Sequence, residues 1–170
     1  MSNVINKTVI ILLILFSMNT FSQNTSQTEQ TIADMKFMLE EEKVARDVYK
    51  YLDEIWDLRV FNNIKQSEQQ HMDMIQTLLD DNNFEYKLSN KRGVFYNEDL
   101  QKMYNNLIEK GRKSMHDAFL VGILIEEADI ADLEKAIANT NDEYIRQVYS
   151  NLLRASNNHL RAFNRQLSRL

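Results

Sequence analysis

Glu68 and His71, in the stretch Ser67-Glu68-Gln69-Gln70-His71-Met72, stand one helical turn apart inside an apolar stripe of Phe61, Ile64, Met72, Ile75 and Leu79. A carboxylate in an apolar seam is costly unless something positive lies against it. A Glu and a His at i, i+3 can both reach one metal ion, and helix bundles build di-metal carboxylate centres from this pair. The pair is a weak signal by itself, so the helices that would face it decide the case.

Three further segments each turn an ionisable group inward. Glu126 shares a face with Met115, Phe119, Gly122, Ile123, Ile130, Leu133 and Ile137, with Asp129 one turn along its edge. His159 shares a face with Ile145, Val148, Leu152, Ala155, Ala162 and Phe163. Upstream, Glu42 aligns with Met35, Met38, Leu39, Ala45, Tyr49 and Trp56, although Arg46 and Asp53 also lie there. Glu41 occupies a cleaner stripe of Phe37, Val44, Val48, Leu52 and Ile55, so periodicity alone slightly favours Glu41. Each residue has an ordinary alternative. A lone inward His is commonly a hydrogen-bonded core residue, and Glu126 could pair with Arg112 or Arg161. The acidic run Glu40–Glu42 reads most simply as a solvated face near a helix N-terminus. Together, however, the four segments would leave four buried charges to neutralise, which one pair of cations explains. Imidazole and carboxylate suit iron, manganese or zinc, and affinity order does not choose among them. Met72, Met74 and Met115 fit core packing better than a copper site, and His116 lies off the Glu126 face.

The elements that must position these groups read as nearly all helix. The chain of 170 residues has no proline and three glycines, and its net charge of −5 offers no basic footprint for nucleic acid. A first helix is expected from about Asp34 to Asp57 and, after a break near Leu58–Val60, a second from about Phe61 to Asp81. Asn82 to Tyr96, containing Gly93, is the longest irregular stretch. Asn97 can cap a short helix from Glu98 to Lys110, with Gly111 as its stop. Ser114 with Asp117 resembles a capping box and opens a third long helix to about Asn139, and Asn141 caps a fourth to roughly Ser168. Two helical hairpins joined by a long crossover carrying one extra short helix describe an all-α, ferritin-like four-helix bundle over residues 34–170.

Residues 1–22 are read separately. Thr8–Met18 is an unbroken apolar run following Lys7, and Thr20-Phe21-Ser22 offers small residues where a signal peptidase reads. This resembles a bacterial secretory signal peptide, which implies a periplasmic or secreted protein; if uncleaved it would be a membrane anchor. Residues 23–33 are polar and expected as a tether. The absence of cysteine excludes disulfides and a lipid-modified N-terminus.

A family resemblance sharpens the assignment. Glu42-Lys43-Val44-Ala45-Arg46-Asp47-Val48-Tyr49 resembles the first-helix motif of rubrerythrins, Glu-x-x-Ala-Arg-x-x-Tyr, whose Glu is a di-iron ligand. That similarity selects Glu42 over Glu41. The segments EEEKVARDVY, FNNIKQSEQQHM, VGILIEEADIADL and SNNHLRAF more closely resemble an uncharacterised prokaryotic domain-of-unknown-function family of the ferritin-like superfamily, over about Met38 to Leu167. The resemblance implies a non-haem iron site, di-iron or mononuclear. Glu42 would be a terminal ligand, Glu68 a bridging carboxylate and His71 a terminal imidazole, with Glu126 and His159 completing the set. The fourth helix departs from the pattern, with Ser156 where Glu-x-x-His requires a Glu. Asp129, or less favourably Glu127, would have to fill that place; otherwise one metal is held, or two unequally. Tyr49 is a candidate partner for a ligand.

The expected function is metal-dependent redox chemistry on peroxide or oxygen. A non-catalytic metal carrier or storage protein, or a structural bundle with a vestigial site, is the alternative. Without cysteine there is no rubredoxin-like centre, so a redox-active protein needs an external electron donor. A homo-oligomer is compatible with the sequence.

Overall fold

The structure, a computed structural model, describes the backbone of residues 5–170 and the side chains of residues 28–170. The export signal expected at residues 1–22 begins before this backbone, and the side chains that would define it lie outside the described residues. Among the described residues the protein is all-α, with five helices and no strand: α1 (Ile5–Trp56), α2 (Arg59–Asp81), α3 (Glu98–Gly111), α4 (Met115–Asn139) and α5 (Glu143–Leu167). Helix α1 begins well before the expected Asp34, so the backbone of the stretch read as a tether, 23–33, is helical. No proline or glycine precedes Gly93, so nothing in the covalent chain breaks the helix there. From Thr31 onward it is also packed, with Met35, Met38 and Leu39 fully buried.

Local chemistry sets the other ends. Asp57 adopts a left-handed φ of 49° where α1 turns into α2. Asn97 accepts from the Asp99 and Leu100 amides to start α3, and Ser114 accepts from the Asp117 amide to start α4. At α5 the cap is Asp142, which accepts from Tyr144 N and Ile145 N, and not the expected Asn141. Both types cap well, and one residue of register separates them.

Among the described residues α1 packs on α2 and α4, and α5 packs on α4 and α2, while across the diagonals, α1–α5 and α2–α4, the backbones stay apart and only side chains such as Tyr49–Phe163 and Phe61–Phe119 meet. The four long helices thus form a closed ring in the order α1, α2, α5, α4, and α3 lies against α1 and α4. The crossover is pinned to α1 by residues that face outward from that ring. Glu40 accepts from the Tyr96 and Asn97 amides at 2.6 and 2.8 Å. Lys43, 1% exposed, donates to Asp47 at 2.7 Å and to the Lys91 carbonyl at 2.9 Å, with its ammonium 4.3 Å from the Phe95 ring centre. Gly93, at φ 71°, donates its amide to the same Asp47 carboxylate. Glu40, the first residue of the acidic run expected as a solvated face, is therefore buried, because the crossover covers it.

Two apolar clusters fill the interior. One gathers Val48, Tyr49, Phe61, Phe119, Ile125 and Phe163, and the other Met38, Met72, Ile75, Leu133, Tyr149 and Leu152. Along every long helix the inward ionisable residues fall between the segments feeding these two clusters. The close approach of α4 and α5 on the first side depends on Gly122, where a Cβ would come within 2.6–2.7 Å of the buried Phe163 ring. Gly122→Ala should therefore cost about 1–3 kcal/mol from overpacking, less the roughly 0.5–1 kcal/mol that alanine contributes within a helix. Urea denaturation checks this; undiminished stability would show that the Phe163 contact is slack.

Candidate metal centre

Helix α2 carries Glu68 and His71 inward because Phe61 and Ile64 before them, and Met72, Ile75 and Leu79 after them, are drawn into the core. Glu68 is 2% exposed and His71 3%. The Nδ1 atom of His71 lies 2.8 Å from Glu68 Oε2 and 3.1 Å from Glu42 Oε2. From α5, the Nδ1 atom of His159 lies 2.9 Å from Glu68 Oε1 and 3.5 Å from Glu126 Oε2. Each oxygen of Glu68 thus faces its own imidazole, and the two rings stack with centroids 5.7 Å apart. The result is two trios, Glu42–Glu68–His71 and Glu68–Glu126–His159, in each of which the potential ligand atoms lie within 4.8 Å of one another. Glu68 belongs to both.

Neighbouring groups orient these side chains. The Tyr49 hydroxyl, buried, donates to Glu126 Oε1 at 2.6 Å. Ser67 Oγ lies 3.4 Å from Nε2 of His71, the nitrogen turned away from the carboxylates. Ser156 donates to Asp129 Oδ2, so the α5 position lacking a carboxylate is in contact with one supplied by α4. Asp129 joins neither trio. Glu127 is exposed, and the cations considered for Glu126 are elsewhere: Arg112 pairs with Glu109, and Arg161 with Asn158. His116 is exposed, while Met72 is in the core.

Three consecutive glutamates are buried in three directions, as the 100° step of a helix requires. Glu40 faces the crossover and Glu42 faces His71. Glu41, at 3% exposure, lies against Asp132 and Asp129 of α4. The trio therefore contains Glu42 and not Glu41. Ser67 and Asp132 were not evident from the sequence: Ser67 sits beside the motif without a distinctive type, and Asp132 is one of many acidic residues on an amphipathic helix.

Electrostatics make this layer unusual. Burial works against the Glu68 carboxylate, but the two imidazoles beside it hold its pKa down to about 2. Burial likewise opposes the imidazoliums, yet Glu42 and Glu68 raise His71 to about 11, and Glu126 and Glu68 raise His159 to about 9. Burial, reinforced by the Glu68 charge, pushes Glu126 up to about 7. Burial raises Glu42 and Asp129 well above the usual carboxylate range. Four polar atoms nevertheless have no hydrogen-bond partner: Glu42 Oε1, Glu68 Oε1, Asp129 Oδ1 and His159 Nδ1. Glu68 Oε1 and His159 Nδ1 are close yet misaligned for a hydrogen bond. Orphaned carboxylate and imidazole atoms converging in a buried layer have the donor chemistry that iron, manganese or zinc accepts.

Fold and site together define an all-α protein with a buried carboxylate–imidazole cluster. Residues 31–169 match an uncharacterized protein domain family, DUF2202, and the chain belongs to that family. It is 50% identical over 132 residues to the uncharacterized protein MJ0754 of Methanocaldococcus jannaschii, a match spanning 77% of this chain and 71% of that protein. The crystal structure of that hypothetical protein superposes with a TM-score of 0.80 at 47% identity, covering 81% of this chain and 79% of the other.

The raised imidazoles give a pH signature. A His whose folded pKa exceeds the unfolded value of about 6.5 stabilises the metal-free fold fully below that pH. That stabilisation is lost as pH rises through about 9 for His159 and about 11 for His71. The metal-free protein should therefore melt at progressively lower temperature from pH 7 to pH 10. Metal binding at pH 7 should expel at least two protons, because a ligating imidazole must be neutral and the raised carboxyls of Glu42 and Glu126 must ionise as well. Calorimetry in buffers of different ionisation enthalpy measures this release; none would mean the histidines are already neutral.

Proposed function

We propose that this protein is a ferritin-like four-helix bundle holding two metal ions side by side in the polar layer, with iron or manganese as the working metal and zinc as a redox-inert substitute. Glu68 would bridge the pair, Glu42 and His71 completing one position and Glu126 and His159 the other. The observation that carries this reading is Glu68: a buried carboxylate common to both trios, offering one oxygen to each. Ser156 contributes no carboxylate itself, but it holds that of Asp129 beside the cluster. A carboxyl group such as an α5 glutamate would bring is supplied from α4 instead.

Iron or manganese bound there supplies one-electron redox chemistry, and we assign the loaded protein the reduction of peroxide or dioxygen. The chain's own residues keep that chemistry contained. Apolar layers on both sides exclude water, and Tyr49 fixes the orientation of Glu126 while offering a proton at its hydroxyl. Electrons come from an external donor, since the chain has no cysteine for a second iron centre. Export to the periplasm or medium is part of the same proposal, resting on the apolar run Thr8–Met18.

One observation favours a second reading, a non-catalytic metal carrier or store. Asp129 belongs to neither trio, so the site has one bridging carboxylate where oxygen-activating pairs use two. Metal binding to the folded state stabilises it by about 2.7 kcal/mol at a free concentration a hundredfold above Kd. Loading should therefore raise the melting temperature by roughly 5–10 °C, and Glu68→Ala should abolish most of that rise. An unchanged melting temperature after verified metal removal would overturn the metal site. Peroxide consumption by the iron-loaded protein separates the enzyme from the carrier.

A further inference from the structure

The Glu41 carboxylate is spent on nothing described so far. It is 3% exposed, its Oε2 has no hydrogen-bond partner, and no Lys or Arg among the described residues is paired with it. Its close neighbours are two more carboxylates, Asp129 and Asp132. Asp129 is also orphaned at Oδ1, and it interacts in turn with Glu42, Glu126 and Glu68. In the other direction Asp132, half-buried, lines a cleft of about 260 Å³ between α1 and α4 whose walls include Asp34, Phe37 and Lys135. A continuous file of carboxylates therefore runs from this cleft, through Asp132, Glu41 and Asp129, to the two trios.

We infer that Glu41 with Asp132 and Asp129 forms a transit site for divalent cations, through which metal passes from the α1–α4 cleft to the Glu68 cluster. The inference rests on the metal-binding reading above and adds the route. Its geometry suits passage better than retention. Unlike the two trios, Glu41, Asp129 and Asp132 do not converge within 4.8 Å as a set, so a cation would meet fewer ligands at a time and move on. Two buried, orphaned oxygens, Glu41 Oε2 and Asp129 Oδ1, give it somewhere to be bound on the way. At the mouth, Asp34, held by Gln30 and Asn139, lines the cleft together with Asp132 and Lys135. Charges lining a cleft govern how fast an ion of opposite sign arrives. The rival path is past His159, whose side chain is 11% exposed on the far side of the cluster.

The test is the rate at which full-length, chelator-treated protein takes up cobalt(II), followed by stopped-flow visible absorption of the bound ion. Asp132→Asn should slow loading at least tenfold while reaching the wild-type final absorbance, and Glu41→Gln should do the same. Lys135→Glu, at an exposed position, should accelerate it several-fold, more so at low ionic strength. Glu127→Gln, exposed elsewhere on α4, should load at the wild-type rate. Asp132→Asn loading as fast as wild type would overturn the route and direct attention to the His159 side, as would equal slowing by Glu127→Gln. Should Asp132→Asn fail to fold, Lys135→Glu decides alone: acceleration supports the route and a wild-type rate overturns it. Wild-type protein that takes up no cobalt would overturn the metal site itself, a distinct result.

Discussion

A glutamate with an imidazole at each of its two oxygens is the contact around which this molecule is arranged. Glu68 cannot remain charged in an apolar interior without compensation, and the chain supplies it from two helices. That requirement propagates. His71 must come from one turn along α2 and His159 from α5, and their own charges call Glu42 and Glu126 inward from α1 and α4. Every long helix is thereby committed to presenting a polar residue at the same level. Apolar residues above and below are sorted into two separate clusters as a consequence.

Holding so many ionisable groups in one layer demands rigid surroundings, and α1 provides them on several faces at once. Glu40, Lys43 and Asp47 bind the crossover, Glu42 and Tyr49 enter the centre, and Glu41 meets α4. Hydrogen bonds to Glu40 and Lys43 fix the backbone of residues 91–97 over the helix. Gly122 lets Phe163 close the layer from the other side, within reach of the Tyr49 ring at 5.3 Å between centroids. A variant that loosens the crossover would thus be felt at the centre through α1.

Much of this was legible in the sequence, for definite reasons. Absent proline and scarce glycine announced the helices, and Asn97 and Ser114 marked two of their starts correctly. The Glu-x-x-His spacing put Glu68 and His71 on one face, because i, i+3 is a property of the helix and needs no partner to define it. Illegible were the features that depend on what lies opposite. Periodicity favoured Glu41 over Glu42, since both are buried and only their facing residues differ. The acidic run starting at Glu40 reads as a solvated face in sequence, because the crossover that covers Glu40 lies more than 50 residues away, at Tyr96 and Asn97. The polar composition of residues 23–33 reads as a tether in sequence, while their backbone continues α1, since nothing there breaks a helix. The contact of Ser156 with Asp129 depends on the packing of α4 on α5, which the sequence does not display.

The central claim is that two ions occupy this layer with Glu68 between them. Anomalous X-ray diffraction from crystals of protein purified from its native compartment, recorded on either side of the iron and manganese absorption edges, tests it most directly. The account predicts two anomalous peaks flanking the Glu68 carboxylate, one beside Glu42 and His71 and the other beside Glu126 and His159. Density showing only hydrogen-bonded side chains and water between these residues, with no anomalous signal, would contradict it.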